Sequence, residues 1–66
     1  MKPSQIKVGT LGPLYEGGET VPAAPWNRRR VVSLEDGIVQ YQSGDGWRGQ
    51  MTLAAFARWA VREVRP

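Results

Sequence analysis

The chain has 66 residues, which is enough for one small domain with a small core. It contains no cysteine and no histidine, so we expect no disulfide, no imidazole-based zinc site and no cofactor. Nine Lys and Arg residues face six Asp and Glu residues, and the excess of three lies in residues 28–66, where every basic residue is an arginine. Such a surplus supports a polyanionic partner only weakly.

The N-terminal lysines are not followed by an apolar run, so we predict no signal peptide. No stretch reaches the roughly 18 apolar residues that a membrane-spanning helix needs. The composition, 41% hydrophobic and 23% charged, is that of an ordinary globular domain. We therefore expect a single domain over residues 1–66, located in the cytoplasm and without membrane contact.

The first part of the chain carries weak strand signals. Ile6, Lys7 and Val8 alternate in polarity and predict a first strand. Residues 9–29 are rich in Gly and Pro, which predicts a long loop. Within that loop, Leu14 and its neighbours leave open a short strand or a tucked segment.

Residues 30–42 predict a β-hairpin. Asp36-Gly37 between two β-prone runs is typical of a type I′ turn, which needs positive φ at both positions. A two-residue turn pairs Leu34 with Val39 and Val32 with Tyr41. These side chains then share one face, as a half-buried antiparallel pair requires.

A third strand and a helix are predicted to complete the chain. Glycines in the turn at 43–46 lead into residues 47–51, where Trp47 is the tryptophan we expect to be buried. Thr52 is a suitable N-cap for a helix over residues 52–65. The apolar residues of this helix recur at spacings of three and four and form one stripe, which comprises Leu53, Phe56, Ala57, Ala60, Val61 and Val64.

The order of these elements resembles that of small SH3-like barrel proteins of bacteria and their prophages. The similarity rests on residues 6–9, 30–34 and 37–41, and on a closing Met51-Thr52-Leu53 with Phe56. It implies an α+β fold in which a small antiparallel SH3-like sheet or barrel of three to five strands is closed by one C-terminal amphipathic helix. It implies no activity, because such barrels bind peptides, nucleic acids or proteins through different sites.

Catalytic chemistry finds little support in the residue types. Without His or Cys, a catalytic pair would need two carboxylates or Ser with Lys, and Glu35-Asp36 belong to the predicted hairpin turn. Residues 44–49 spell G-x-G-x-x-G, but the surrounding βαβ unit of a dinucleotide site is missing, so we interpret them as a turn and a strand. We predict that the protein is not an enzyme and holds no metal.

Arginine and tryptophan are the remaining candidates for a binding surface. An arginine run at residues 28–30, predicted to be exposed, either contacts a partner or solvates the entry to a strand, where alternation turns one arginine along the core edge and the others outward. Arg58, Arg62 and Arg65 form an arginine stripe opposite the apolar stripe of the predicted helix and have the same two interpretations, a binding surface or a solvated face. Exposed tryptophan beside arginine is typical of interface centres. The candidate binding residues are Trp26, Arg28, Arg29, Arg30, Arg58, Trp59 and Arg62.

The function predicted from these residues is a non-catalytic binding module. A protein partner or self-association is favoured, in an assembly of a bacterium or its phage, because the tryptophans are dense and the net charge is modest. The alternative is a nucleic-acid-binding protein with an Arg/Trp surface.

Overall fold

The computed structural model describes residues 1–9, 12–18 and 25–64. These residues form five strands and one α-helix, with short 3₁₀ turns at Pro3–Gln5 and Pro25–Asn27. The elements in chain order are β1 (Leu14–Gly17), β2 (Arg28–Glu35), β3 (Ile38–Ser43), β4 (Arg48–Thr52), α1 (Leu53–Trp59) and β5 (Ala60–Val64). The predicted α+β class with a small antiparallel sheet is confirmed.

The five strands form one antiparallel sheet in the order β4-β3-β2-β1-β5. Consecutive strands β1 to β4 lie side by side, and β5 returns across the domain to pair with β1. Strands β4 and β5 are therefore the two edges, and within the described residues the sheet is not closed into a barrel. Helix α1 connects these edges and packs against β3, β4 and β5.

The hairpin predicted at residues 30–42 is present, with one change of register. Asp36 has φ 51° and Gly37 has φ 74°, the two positive values that a type I′ turn requires. Leu34 pairs with Val39 as predicted, but a bulge follows and Val31 replaces Val32 opposite Tyr41. The prediction that Val32 belongs to the core was wrong: Val31 is completely buried, because the extra residue reverses the alternation beyond the bulge.

The N-terminal segment is packed without being a strand. Residues 6–8 lie outside the sheet, so the predicted first strand was wrong, although Ile6 is buried in the core. The Tyr15 hydroxyl accepts a hydrogen bond from the Lys7 amide at 2.7 Å and donates one to the Gln5 carbonyl at 3.3 Å. The first strand, β1, instead lies inside the segment 9–29 predicted as a loop, whose residues 10–11 and 19–24 fall outside the described ones.

Helix α1 begins where the sequence predicts. The Thr52 hydroxyl accepts a hydrogen bond from the Ala55 amide at 3.1 Å, which satisfies one of the free donors of the first turn. The helix ends at Trp59, not at residue 65, and the following five residues form β5. At the C-terminal end of the helix, the Met1 ammonium donates hydrogen bonds to the Ala57 and Ala60 carbonyls at 2.8 Å each.

The prediction of a helix over 52–65 was wrong in its second half because tertiary pairing outweighs the local pattern. Residues 60–64 include two β-branched valines, which suit a strand as well as a helix. In β5 their backbone pairs with β1 along four residue pairs, on the edge of β1 that faces away from β2. Val61, assigned to the apolar helix stripe, is instead about half exposed on an edge strand.

Phe56 lies at the centre of the core, between α1 and the sheet. Its ring is 5.6 Å from that of Tyr15 in an edge-to-face arrangement, 6.1 Å from Tyr41 and 5.3 Å from Trp59. Such aromatic pairs add to the gain from apolar burial. We call the side of the sheet that carries Tyr15 and Val31 and is covered by α1 the inner face, and the opposite side the outer face.

Candidate binding surface

The arginine run at the start of β2 is divided between the two faces of the sheet. Successive side chains of a strand point to opposite sides, so Arg28 and Arg30 share one face and Arg29 shares the other with Val31. Since Val31 is a core residue, Arg29 lies on the inner face and its two neighbours lie on the outer face. The prediction that all three are exposed was wrong, because each is half-buried.

Glu16 joins two arginines of the outer face. Its side chain is 3% exposed, and its carboxylate accepts from Arg28 Nε at 3.0 Å and from Arg62 Nη1 at 2.6 Å. Glu16 on β1 is also the direct cross-strand partner of both arginines, which lie on β2 and β5. One arginine of the predicted run and one of the predicted helix stripe therefore meet, although Arg62 lies on a strand.

This cluster contributes to structure as well as to surface charge. A buried carboxylate loses much of its hydration, and two guanidinium groups compensate for that loss. Arg28 and Arg62 keep 31% and 54% of their side-chain exposure, so solvent screening weakens both ion pairs. The two arginines therefore fix the position of Glu16 and still present part of each guanidinium group to the outside.

Arg29 is held among core residues. Its guanidinium carbon lies 4.5 Å from the ring centroid of Tyr41 and 4.3 Å from that of Trp59, and Nη1 lies 3.4 Å from the Met51 sulfur. Both rings present π-faces to the cation, which stabilises it electrostatically. Its Nε is buried without a hydrogen-bond partner. These contacts make Arg29 a packing residue at the edge of the core.

The structure differs from the sequence prediction in which tryptophan packs against the core. Trp47, expected in the core, is 75% exposed, because β4 begins one residue later and leaves Trp47 in the preceding turn. Trp26 is 54% exposed in the 3₁₀ turn before β2. Trp59 packs against Phe56 and Arg29, so the contacts of this predicted binding residue are with its own core.

The two exposed tryptophans lie at the same end of the sheet. The Gly44 amide donates to the Arg28 carbonyl at 2.8 Å, and this bond joins the turn before β4 to the start of β2. The same turn is closed by the Ser43 amide, which donates to the Trp47 carbonyl at 2.8 Å. Trp26, two residues before Arg28, and Trp47 thus flank one structural junction.

A cavity of about 420 Å³ lies beside this junction. It is lined by Leu14, Arg30, Val32, Gln42, Ser43, Gly44 and Gly46. Arg30 contributes to its wall with its Nε held by the Gly12 carbonyl at 3.1 Å. Polar groups and two apolar side chains therefore line one concave surface on the outer face.

Arg48 is a residue of this surface that the sequence analysis did not single out. It is exposed and pairs directly with Gln42, a residue of the cavity wall, while Arg30 pairs with Gln42 from the other side. Directly paired residues share a face, so Arg48 lies on the outer face as well. Arg48 could have been found by extending the predicted hairpin register to the third strand, which pairs it with Gln42.

Arg58 lies apart from this surface. It is exposed in the last turn of α1, and that helix packs on the inner face. The third arginine of the predicted helix stripe, Arg65, is outside the described residues. Of the two that the structure describes, Arg62 contributes to the outer face and Arg58 does not.

The G-x-G-x-x-G sequence has a structural explanation. Gly46 has φ 97° in the turn, a conformation that side chains disfavour. A Cβ atom at Gly49 would lie 2.6 Å from the Tyr41 hydroxyl, so the absence of a side chain lets this ring cross β4. The motif forms a turn and a strand, as interpreted from the sequence.

Across residues 1–9, 12–18 and 25–64, no group of three or more His, Cys, Asp or Glu side chains is arranged to hold a metal ion. The same residues include no helix long and apolar enough to cross a bilayer. Comparison of the chain with protein-family models, with curated protein sequences and with solved structures finds no significant match.

Proposed function

We propose that the protein is a non-catalytic binding module that recognises another protein through the outer face of its sheet. One observation carries the proposal: Trp26 and Trp47 are exposed at the same end of the sheet, beside a cavity, while Trp59 is packed into the core. Large exposed aromatic side chains are costly in water and are enriched at protein interfaces. A small assembly component of a bacterium or its phage, working in the cytoplasm, is the setting we favour.

The state of the arginines favours a protein partner over a polyanion. Arg28 and Arg62 share Glu16, Arg29 lies between two aromatic rings, and Arg30 donates to a carbonyl. Each of these four arginines therefore has a partner inside the protein, and Glu16 offsets one of the four charges. Tryptophan and arginine together are also the residues most often found at the energetic centres of protein interfaces.

The SH3-like barrel belongs to this proposal. The strand order, with β5 beside β1 and a helix between β4 and β5, is compatible with such a barrel opened along its β4 and β5 edges. The five-residue strands at these edges would need to approach each other to close it. The proposed binding face does not depend on that closure.

Nucleic-acid binding remains the second candidate because Arg28 and Arg62 meet. With Arg30 and Arg48 they place four arginines on one face, against Glu16, within the described residues. Such a face, with tryptophans available for stacking, is the composition of a single-strand binding surface. A binder of this kind loses affinity by orders of magnitude between about 50 and 200 mM salt.

The test is a selection from a random peptide library displayed on phage, with the wild-type protein and with the double variant Trp26→Ser/Trp47→Ser as baits. We expect enriched peptides with the wild type and loss of their binding in the double variant. Val61→Thr is the matched control, because it alters a half-exposed apolar residue on the opposite edge strand. Circular dichroism must show that all three baits are folded.

Failure to enrich any peptide on folded wild-type protein would overturn the protein-binding proposal. Equal binding by the double variant would overturn the assigned surface. Tryptophan quenching by single-stranded oligonucleotides, with the salt dependence given above, would favour the second candidate.

A further inference from the structure

The cavity on the outer face carries positive charge on both sides of Gln42. Arg30 and Arg48 are its direct partners on β2 and β4. Because neighbouring strands lie about 4.8 Å apart, the backbones at the two arginines are separated by roughly 10 Å. Two arginines therefore flank Gln42 of the cavity wall, with backbones at a separation that one extended peptide can bridge.

The charge balance of this surface favours an anionic occupant. Arg28 and Arg62 are paired with Glu16, but Arg48 is exposed and no ion pair of Arg30 or Arg48 is found among the described residues. Asp45, in the turn beside the cavity, accepts from the Ser43 hydroxyl. Asp45 offsets one charge of Arg30 and Arg48, and Glu16 offsets one charge of Arg28 and Arg62. The outer face thus keeps a surplus of about two positive charges, which matches a few carboxylates better than a continuous phosphate backbone.

The apolar part of the cavity wall also favours a peptide over a phosphate chain. Leu14 and Val32 line the cavity together with Arg30. A phosphate chain has no apolar group to place against these side chains. A peptide can present an aliphatic and an acidic side chain on the same side. Arginine in turn binds carboxylates through two parallel hydrogen bonds.

We infer that the outer face binds an extended acidic peptide segment, with carboxylates at Arg30 and Arg48 and an aliphatic side chain on the same side of the segment against Leu14 and Val32. Trp26 and Trp47 cover the end of the segment that lies at the junction beside the cavity. An extended segment advances about 3.4 Å per residue, so acidic residues two and four positions apart, which share one side, lie roughly 7 and 14 Å apart and bracket the arginine spacing. This inference rests on the proposed function and specifies its partner.

The experiment is a peptide array printed in matched pairs. Each short peptide combines acidic and aliphatic residues, and their order varies from peptide to peptide. Its twin carries Gln and Asn in place of Glu and Asp. Binding of labelled wild-type protein is compared with that of Arg48→Gln and of Arg58→Gln. Both variants remove one exposed arginine and the same charge, but Arg58 lies on α1, away from the cavity.

We expect the acidic peptides to bind about a hundredfold more tightly than their amide twins, since the twins lose two charge-assisted contacts of about tenfold each. Arg48→Gln should reduce that preference to about tenfold, and Arg58→Gln should keep it. Equal binding of acidic and amide peptides overturns the inference, and so does an equal loss in the two variants. If the amide twins bind as well as the acidic peptides, and the double variant Trp26→Ser/Trp47→Ser loses that binding, only the acidic nature of the partner is overturned. The proposed function then stands.

Arg30→Gln is the second variant, measured together with its thermal stability because Arg30 also holds the Gly12 carbonyl. If Arg30→Gln unfolds the protein, the inference is decided by the Arg48→Gln result alone. Absence of binding by every peptide, combined with salt-sensitive binding of an oligonucleotide, overturns both the inference and the proposed function.

Discussion

The inner and outer faces of the sheet use the same two residue types for different purposes. On the inner face, Arg29 lies between the rings of Tyr41 and Trp59, and Trp59 contacts Phe56. On the outer face, Arg48 is exposed next to Gln42 of the cavity wall, and Trp47, in the turn before β4, is exposed as well. An arginine with aromatic neighbours is thus a packing element in one place and a candidate binding element in the other, and burial decides between them.

The comparison also shows why adjacent residues of one run cannot be treated as one site. Arg28 and Arg30 face outwards and Arg29 faces the core, because a strand alternates its side chains. Replacing all three at once would combine a loss of stability with a loss of surface charge. Single substitutions chosen by face separate the two effects.

The largest expected difference concerns the tryptophans. Trp59→Ala should lower the free energy of unfolding by about 3 kcal/mol, because it removes a ring from the core and uncovers Arg29. Trp47→Ala should change it by less than about 0.5 kcal/mol, since the side chain is 75% exposed. Urea unfolding followed by circular dichroism measures both, and equal losses would contradict the division between the faces.

A slightly smaller effect is expected at Gly49, where the inner face leaves no room for a side chain. In Gly49→Ala the new Cβ would lie 2.6 Å from the Tyr41 hydroxyl and 2.8 Å from its Cζ, so the ring must move. We expect a loss of about 2 kcal/mol, within the range of other overpacking substitutions. The control is Gly49→Ala in a Tyr41→Phe background, where removal of the hydroxyl should recover part of the loss; no recovery would show that the clash is not with this group.

The two arginines of the comparison should differ by less. Arg29→Gln should cost about 1.5 kcal/mol, because it removes a cation that contacts two rings and leaves a polar side chain at the core edge. Arg48→Gln removes the same charge from an exposed position and should be close to neutral. Thermal denaturation of the two variants side by side tests this, and a larger shift for Arg48→Gln would refute the assignment.

The smallest effect concerns the helix that covers the inner face. Acetylation of the Met1 amino group removes the ammonium that donates to the Ala57 and Ala60 carbonyls at the end of α1. A cation at a helix C-terminus stabilises it by about 0.5 kcal/mol, so the acetylated protein should unfold slightly earlier, and more clearly at low salt. An identical midpoint at both salt concentrations would show that these contacts add nothing measurable.

Part of the candidate surface could be predicted from the sequence. Arg28, Arg30 and Arg62 were identified as candidates by residue type, and Trp26 is exposed as its place between Pro25 and Asn27 indicated. Arg48 was missed because a single arginine in a short strand carries no pattern. It gains its place only through pairing with Gln42, which composition does not show.

The sequence by itself determined the local elements whose signals are short-range. Asp36-Gly37 specified the type I′ hairpin because two residues with positive φ are needed in a two-residue turn. Thr52 specified the start of α1 because its hydroxyl serves an amide three residues away. Neither choice depends on distant parts of the chain.

The tertiary structure alone decided the features that depend on distant partners. Residues 60–64 form a strand because β1 offers them an unpaired edge, whereas their apolar spacing equally fits a helix. Val31 is buried instead of Val32 because a bulge reverses the alternation. Trp59, partly buried, packs against the core in place of Trp47 because the shortened helix ends against Arg29. Backbone hydrogen bonds and core space are shared by the whole domain, so their allocation is settled only when all the elements pack together.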